Sequence, residues 1–216
     1  MFSEYGKKIP KDRRRWIDVV EHCLVEAAAA EVLADALALS PLEKEKLSKT
    51  AAVHDWDKRL EQKPEDFTQE EKLAINKQLQ KLNLNQELIK STHPEFIRLL
   101  LEGKPSTWLQ RLLYYIDDIH EGSSIMPIKE RLEATVARHK DLAADQEWAA
   151  LATKRLREIG KIGPKETANF FDGDLAMAEE VQEEIYRELK NRGVNLESPE
   201  KIPEFIKSKI EKNYVK

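Results

Sequence analysis

The sequence predicts an all-α protein, and three observations carry this prediction. The 216 residues include only seven glycines, and the chain is rich in Ala, Leu, Glu, Lys and Arg, which favour helix. Apolar residues recur at steps of three and four along most segments, which is the spacing of one face of a helix. We find no internal repeat and no convincing strand. The expected fold is therefore a helical bundle.

Two capping boxes mark helix starts in the first third of the chain. Ser40-Pro41-Leu42-Glu43 has the form of a capping box with proline at the first helical position, and it predicts a helix that ends near Lys58 or Leu60. A second box, Thr68 to Glu71, follows a polar loop and opens another helix. The helix before them is predicted to run from soon after Pro10 to about Leu39. Its apolar face consists of Trp16, Val19, Val20, Cys23, Leu24, Ala27 and Ala28.

The middle of the chain predicts a short helix and then a buried one. The short helix runs from Asn85 to about Thr92 and ends before Pro94, because the residue that precedes a proline disfavours helical geometry. The second helix follows Thr107 and ends near Asp118 or His120. Its run WLQRLLYYI is rich in apolar residues around the whole circumference, which is typical of the central helix of a bundle.

The remaining chain divides into a long amphipathic segment and an extension. Pro127 opens the segment, which reaches about Ile159 with a break near Asp141 or Asp145. Residues 160–173 are predicted to be a linker. After the linker come an apolar stripe closed by Gly193 and a short helix after Pro203. We therefore expect a helical domain over residues 1–159 and a C-terminal helical extension over 160–216, which packs on the bundle or forms a homodimer contact.

Composition excludes several classes of protein. The formal charge of −4 argues against bulk nucleic-acid binding, since domains with that role are usually strongly basic. Cys23 is the only cysteine, so no internal disulfide can form, which fits a reducing cytoplasm. No run approaches eighteen consecutive apolar residues, so no membrane span is predicted.

Histidine and aspartate occur in a suggestive order at three predicted helices. His22 lies within the first helix, His54-Asp55 lies near the end of the second, and Asp117-Asp118 closes the buried helix. These are side-chain types that bind divalent metals at neutral pH, and a metal centre of this kind activates water. A single internal histidine is more often a core residue, and an Asp doublet is usually solvated, so the prediction depends on the combination.

The same three segments resemble the HD-domain metal-dependent phosphohydrolase superfamily. The segment RRRWIDVVEHCLVEAA is similar to the family's first helix, and LSKTAAVHDWDK is similar to its small-apolar run into His-Asp. LLYYIDDI is similar to the apolar helix that ends in the family's last aspartate. The resemblance covers residues 14–132 and implies an HD-domain-like helical bundle.

The resemblance also implies a function and a ligand set. One divalent metal, which could be Mn, Mg, Co, Fe, Ni or Zn, would activate water to cleave a phosphate ester of a small metabolite or nucleotide. The last helix would supply Asp117 as a metal ligand, and Asp118 is kept as the alternative ligand from the same helix. Asp55 would also accept a hydrogen bond from the water, and Lys58 would offer its ammonium to the substrate phosphate. The implied metal ligands are His22, His54, Asp55 and Asp117.

Several residues near these segments are left with two interpretations. His93 lies in the interval where some members of the superfamily have extra histidines for a second metal, and it is otherwise a loop histidine. Arg15 could reach a phosphate or remain solvated. Glu26 and Asp57 could transfer protons, although we expect surface carboxylates. His120 follows the Asp doublet and so departs from the family pattern.

Two other functions stay open. One is a two-metal iron oxygenase of the same fold, which would require His93 and one more histidine at the metal. The other is a non-catalytic helical binding module that retains a metal site.

Overall fold

The computed structural model describes residues 11–55, 68–81, 84–136 and 139–214. Most of these residues are helical, as predicted, and the other elements are one short hairpin and two 3₁₀ turns (Lys90–Thr92 and Pro199–Lys201). None of the described helices combines the length and apolar character needed to cross a membrane.

The first helices are α1 (Lys11–Ala36), α2 (Pro41–Ala51), α3 (Gln69–Lys81), α4 (Gln86–Ile89), α5 (Pro94–Leu101) and α6 (Trp108–Asp118). The later ones are α7 (Ile128–Val136), α8 (Lys140–Ala144), α9 (Gln146–Glu158), α10 (Phe170–Asn191) and α11 (Ile202–Tyr214).

Both predicted capping boxes are present. The Ser40 hydroxyl accepts a hydrogen bond from the Glu43 main-chain N–H, and the Glu43 carboxylate accepts one from Ser40 N–H at 2.9 Å. The Thr68–Glu71 box has the same two bonds. α2 ends at Ala51, earlier than predicted, and residues 52–55 form a turn. His54 and Asp55 therefore lie on a turn and not within a helix.

α5 was not predicted. Pro94 ends the preceding 3₁₀ turn, but it also occupies the first turn of α5, where its missing N–H costs no helical hydrogen bond. Three apolar side chains of this helix, Phe96, Ile97 and Leu101, are buried in the core. The proline is therefore both the end of one element and the start of the next.

α6 is the buried central helix that its sequence predicts. Thr107 and Gln110 form a capping box at its start, and it ends at Asp118. Leu112, Tyr115 and Ile116 have no exposed surface. α6 packs against α1, α2, α7 and α10, so the residues at its C-terminal end lie close to the first two helices.

A two-stranded hairpin follows α6 and corrects the expectation that no strand is present. β1 (His120–Glu121) pairs antiparallel with β2 (Ser124–Ile125), and Gly122 takes a positive φ of 57° in the turn. The strands are too short to show an alternating pattern, which explains why the sequence did not reveal them. β1 contacts α1, so the hairpin lies beside the helix that carries His22.

The extension packs on the other helices. Its long helix α10 contacts α5, α6, α7 and α9, and α11 contacts α1. The predicted linker is too long at its end, because the Asn169 side chain caps α10 and the helix begins at Phe170. Gly173 lies inside α10, where a Cβ would come within 2.9 Å of Ala152 Cβ. The break near Asp145 and the positive φ of Gly193 are both found as predicted.

Candidate metal centre

Three parts of the chain bring the predicted ligands together. His22 comes from α1, His54 and Asp55 come from the turn after α2, and Asp117 comes from the last turn of α6. Oδ1 of Asp117 lies 3.8 Å from His22 Nε2 and 3.7 Å from His54 Nε2. One carboxylate oxygen therefore faces both imidazoles.

Two more carboxylates complete the cluster. Asp55 spans the two rings, with Oδ2 3.7 Å from His22 Nε2 and Oδ1 3.6 Å from His54 Nε2. Glu26 Oε1 lies 3.0 Å from His22 Nε2. Bonds of about 2.1 Å to a tetrahedral ion place two donors about 3.4 Å apart, so these separations suit a shared ion. Donor atoms of His22, Glu26, His54 and Asp117 all lie within 4.8 Å of one another, and this group could hold a metal ion.

Main-chain carbonyls fix the orientation of both rings. His22 Nδ1 lies 2.9 Å from the carbonyl oxygen of Gly122, and His54 Nδ1 lies 2.9 Å from that of Ala51. A carbonyl oxygen only accepts hydrogen bonds, so each Nδ1 carries a proton and donates it. Each Nε2 is thereby directed to the carboxylates as the nitrogen available to a metal, which is the usual arrangement around histidine ligands.

Glu26 is part of the centre, and the expectation of a surface carboxylate was wrong. Its side chain has no exposed area, and its second oxygen lies 3.3 Å from His54 Nδ1. Its two oxygens therefore face His22 and His54, and a buried carboxylate without such compensation is costly. The available signal was its spacing of four residues from His22, which places both side chains on one face of α1.

The charges in the cluster compensate one another. Burial opposes a charge on His22, but the hydrogen bond and charge of Glu26, with the charge of Asp117, raise its pKa to about 9. Burial likewise opposes a charge on His54, and Glu26 and Asp117 raise its pKa well above 6.5. Burial would raise the pKa of Asp117, yet His54 and Arg131 hold it well below the usual range. A metal ion would replace these imidazole protons, so its binding would release them.

The two members of the Asp doublet face different partners. Asp117 faces the histidines with one oxygen, and its other oxygen lies 3.8 Å from Arg131 Nη2. Asp118 is buried, and its Oδ1 lies 3.8 Å from Arg131 Nη1. Arg131 therefore sits between the two carboxylates. This geometry favours Asp117 over Asp118 as the metal ligand.

A buried acidic network adjoins Asp118. The Tyr114 hydroxyl donates a hydrogen bond of 2.6 Å to Asp174 Oδ1 on α10. Burial raises the pKa of Asp174 to about 6, and it raises the pKa of Asp118 well above its ordinary value. The extension thus contributes a carboxylate to the surroundings of Arg131.

The other candidate residues differ in where they lie relative to the cluster. His93 is half-buried at the N-cap of α5 and is not part of the converging group. Lys58 and Asp57 lie outside the described residues, as does the side chain of Arg15. His120, set aside because it departs from the family pattern, is buried with its ring beside His22.

Comparison with known proteins adds no relative. No family model, no curated protein and no solved structure matches this chain.

Proposed function

We propose that this chain is a metal-dependent phosphohydrolase that cleaves a phosphate ester of a small metabolite or nucleotide. The observation that carries the proposal is the convergence of two carbonyl-anchored imidazoles with the carboxylates of Asp55 and Asp117. These donors come from three separate parts of the chain, in the order His, His-Asp, Asp. That order is the basis of the resemblance to the HD-domain superfamily, and the close packing of the donors supports it.

The donor set fits a divalent metal. His22, His54, Asp55 and Asp117 would hold the ion, as the resemblance implies. Glu26 lies within reach of the same ion and would also orient His54 through its second oxygen. The ion, when bound, would lower the pKa of a coordinated water toward neutrality and offset charge on a phosphoryl oxygen. Asp55 spans both rings and is placed to accept a hydrogen bond from that water.

The exposure of the donors indicates the side from which a substrate would approach. The side chains of Glu26 and His54 have 0% exposure, whereas those of Asp55 and Asp117 have 14% and 17%. Arg131, 17% exposed, adjoins the accessible edge at Asp117. Its guanidinium stays charged and presents N–H donors that suit a phosphate oxygen. Arg131 would thus bind the substrate phosphate, which is the role that the sequence suggested for Lys58.

The test is phosphate release from a panel of phosphorylated metabolites, with Mn²⁺, Mg²⁺, Co²⁺, Zn²⁺ or chelator. Asp55→Asn removes a carboxylate charge with little change of shape, and His93→Gln is the matched control at a histidine outside the centre. We expect release that depends on metal, is abolished in Asp55→Asn and is unchanged in His93→Gln. Failure of the folded protein to release phosphate with any metal would refute the hydrolase proposal. Metal binding without turnover would support the non-catalytic module.

No observation favours the oxygenase. That function requires His93 at the metal, and within the described residues His93 lies at the N-cap position of α5 and is not one of the converging donors. A cytoplasmic location and a homodimer contact through the extension remain predictions from the sequence.

A further inference from the structure

His120 repeats the arrangement of the two clustered histidines. Its Nδ1 lies 2.5 Å from the carbonyl oxygen of Ile116 and must donate to it, which leaves Nε2 unprotonated in the neutral ring. The residue is 2% exposed. Its Nε2 is buried and, among the described residues, has no hydrogen-bond partner. Buried polar atoms are normally satisfied, so an isolated ring nitrogen calls for an explanation.

His120 lies close to the metal centre. Its ring centroid lies 6.3 Å from that of His22, compared with 5.4 Å between His22 and His54. Two imidazoles bound to one ion through bonds of about 2.1 Å have centroids about 5.3 Å apart at a tetrahedral angle, and up to about 6.5 Å apart when their nitrogens lie on nearly opposite sides of the ion. His120 lies outside the group whose donor atoms are all within 4.8 Å of one another, so it would bind the ion on the side opposite His22. The same hairpin supplies the Gly122 carbonyl that orients His22. The hairpin thus fixes one ligand and places another imidazole beside it.

The ionic state of His120 suits a donor. Burial lowers its pKa, in contrast to the raised pKa values of His22 and His54. The negative charges of Glu26 and Asp117 nearby do not outweigh this burial. The hydrogen bond from Nδ1 to the Ile116 carbonyl leaves Nε2 as the ring nitrogen whose lone pair is available to a cation.

We propose that His120 is a third imidazole donor to the metal centre, so that the site selects a transition ion such as Zn²⁺, Co²⁺, Ni²⁺ or Fe²⁺ over Mg²⁺. Imidazole suits these borderline ions, whereas Mg²⁺ prefers oxygen donors and water. The inference rests on the metal site of the proposed function. It narrows the range of ions that the ligand types alone permit.

Nitrogen NMR of the histidine rings in the full chain tests this directly. The sequence has five histidines, so ¹⁵N-labelled protein gives five pairs of ring signals, assigned with single His→Gln variants. On addition of Zn²⁺ we expect the Nε2 signals of His22, His54 and His120 to shift, while those of His93 and His139 stay unchanged. A response from His22 and His54 alone would overturn the inference and leave the metal site intact. No response from any ring would refute the metal site itself.

A variant adds a quantitative measure. We expect His120→Gln to weaken Co²⁺ and Zn²⁺ binding at least about 10-fold, since losing only a hydrogen-bond partner of a metal ligand already costs that much. It should also change the visible absorption of bound Co²⁺, while His93→Gln alters neither. The loss of Mg²⁺ affinity should be smaller. Equal Co²⁺ affinity and an identical spectrum in His120→Gln would contradict the proposal. Circular dichroism reports whether the variant folds, and the NMR result on the unmodified chain decides the matter if it does not.

Discussion

The stability of the metal-free protein is expected to fall as the pH rises from 6.5 to 9. The cause is His22, whose pKa is raised from 6.5 to about 9 because Glu26 and Asp117 outweigh its burial. A group whose pKa is higher in the folded state contributes stability that is complete below its unfolded pKa. That contribution is lost as the pH rises through the folded pKa. A tenfold change in proton affinity is worth about 1.4 kcal/mol. The raised pKa of His22 therefore accounts for a loss of about 3 kcal/mol in the free energy of unfolding as the pH rises.

Urea denaturation followed by circular dichroism, with chelator present, measures this loss. The free energy of unfolding at pH 6.5 should exceed that at pH 9.5, and His54, whose pKa is also raised, should add to the difference. His22→Gln should flatten the dependence, whereas His139→Gln, at an exposed position, should not. With Zn²⁺ the dependence should reverse, because protons compete with the metal for Nε2. A free energy of unfolding that is constant or rises across this range without metal would refute the reasoning.

Three further predictions concern the surroundings of the site. Burial raises the pKa of Asp174 to about 6, so the charged carboxylate destabilises the folded protein at pH 8 but not at pH 4. Asp174→Asn should therefore increase the free energy of unfolding by about 3 kcal/mol at pH 8 and by little at pH 4. Urea denaturation that shows no gain at pH 8 would contradict this. Gly173→Ala should destabilise the protein by about 1–2 kcal/mol in thermal denaturation, because overpacking against Ala152 and Leu101 exceeds the gain in helix propensity. Gly163→Ala serves as the control, since its new Cβ would meet only the Glu166 side chain. Arg131→Gln should raise KM for a phosphorylated substrate at least about tenfold, more than it lowers kcat; steady-state kinetics with an unchanged KM would exclude Arg131 as the phosphate contact.

Features that depend on local interactions could be predicted from the sequence. The Ser40 and Thr68 capping boxes each involve four consecutive residues, so neighbouring letters are sufficient to recognise them. The buried character of α6 follows from its own composition. The convergence of His22, His54-Asp55 and Asp117 could also be predicted, because each of them lies beside a distinctive helical segment.

Features that depend on packing could not be predicted. Glu26 looks like any carboxylate on an amphipathic helix, and its burial follows from α2 and α6 packing against α1. His120 lies on a two-residue strand, and Gly122 turns the chain back between this strand and its partner. The spacing of four residues from His22 is a local signal for Glu26, but it does not show burial. The environments of both side chains are defined by contacts between segments distant in the chain.

The carbonyl anchors of the three rings have a consequence for how a metal would arrive and leave. Each imidazole is already held in one rotamer by a hydrogen bond from Nδ1, so little side-chain entropy remains to be lost when an ion binds. Exchange between ions of similar radius would then need no rearrangement of the protein. The identity of the bound ion would accordingly follow the relative abundance of transition metals in the cell as much as the preference of the site.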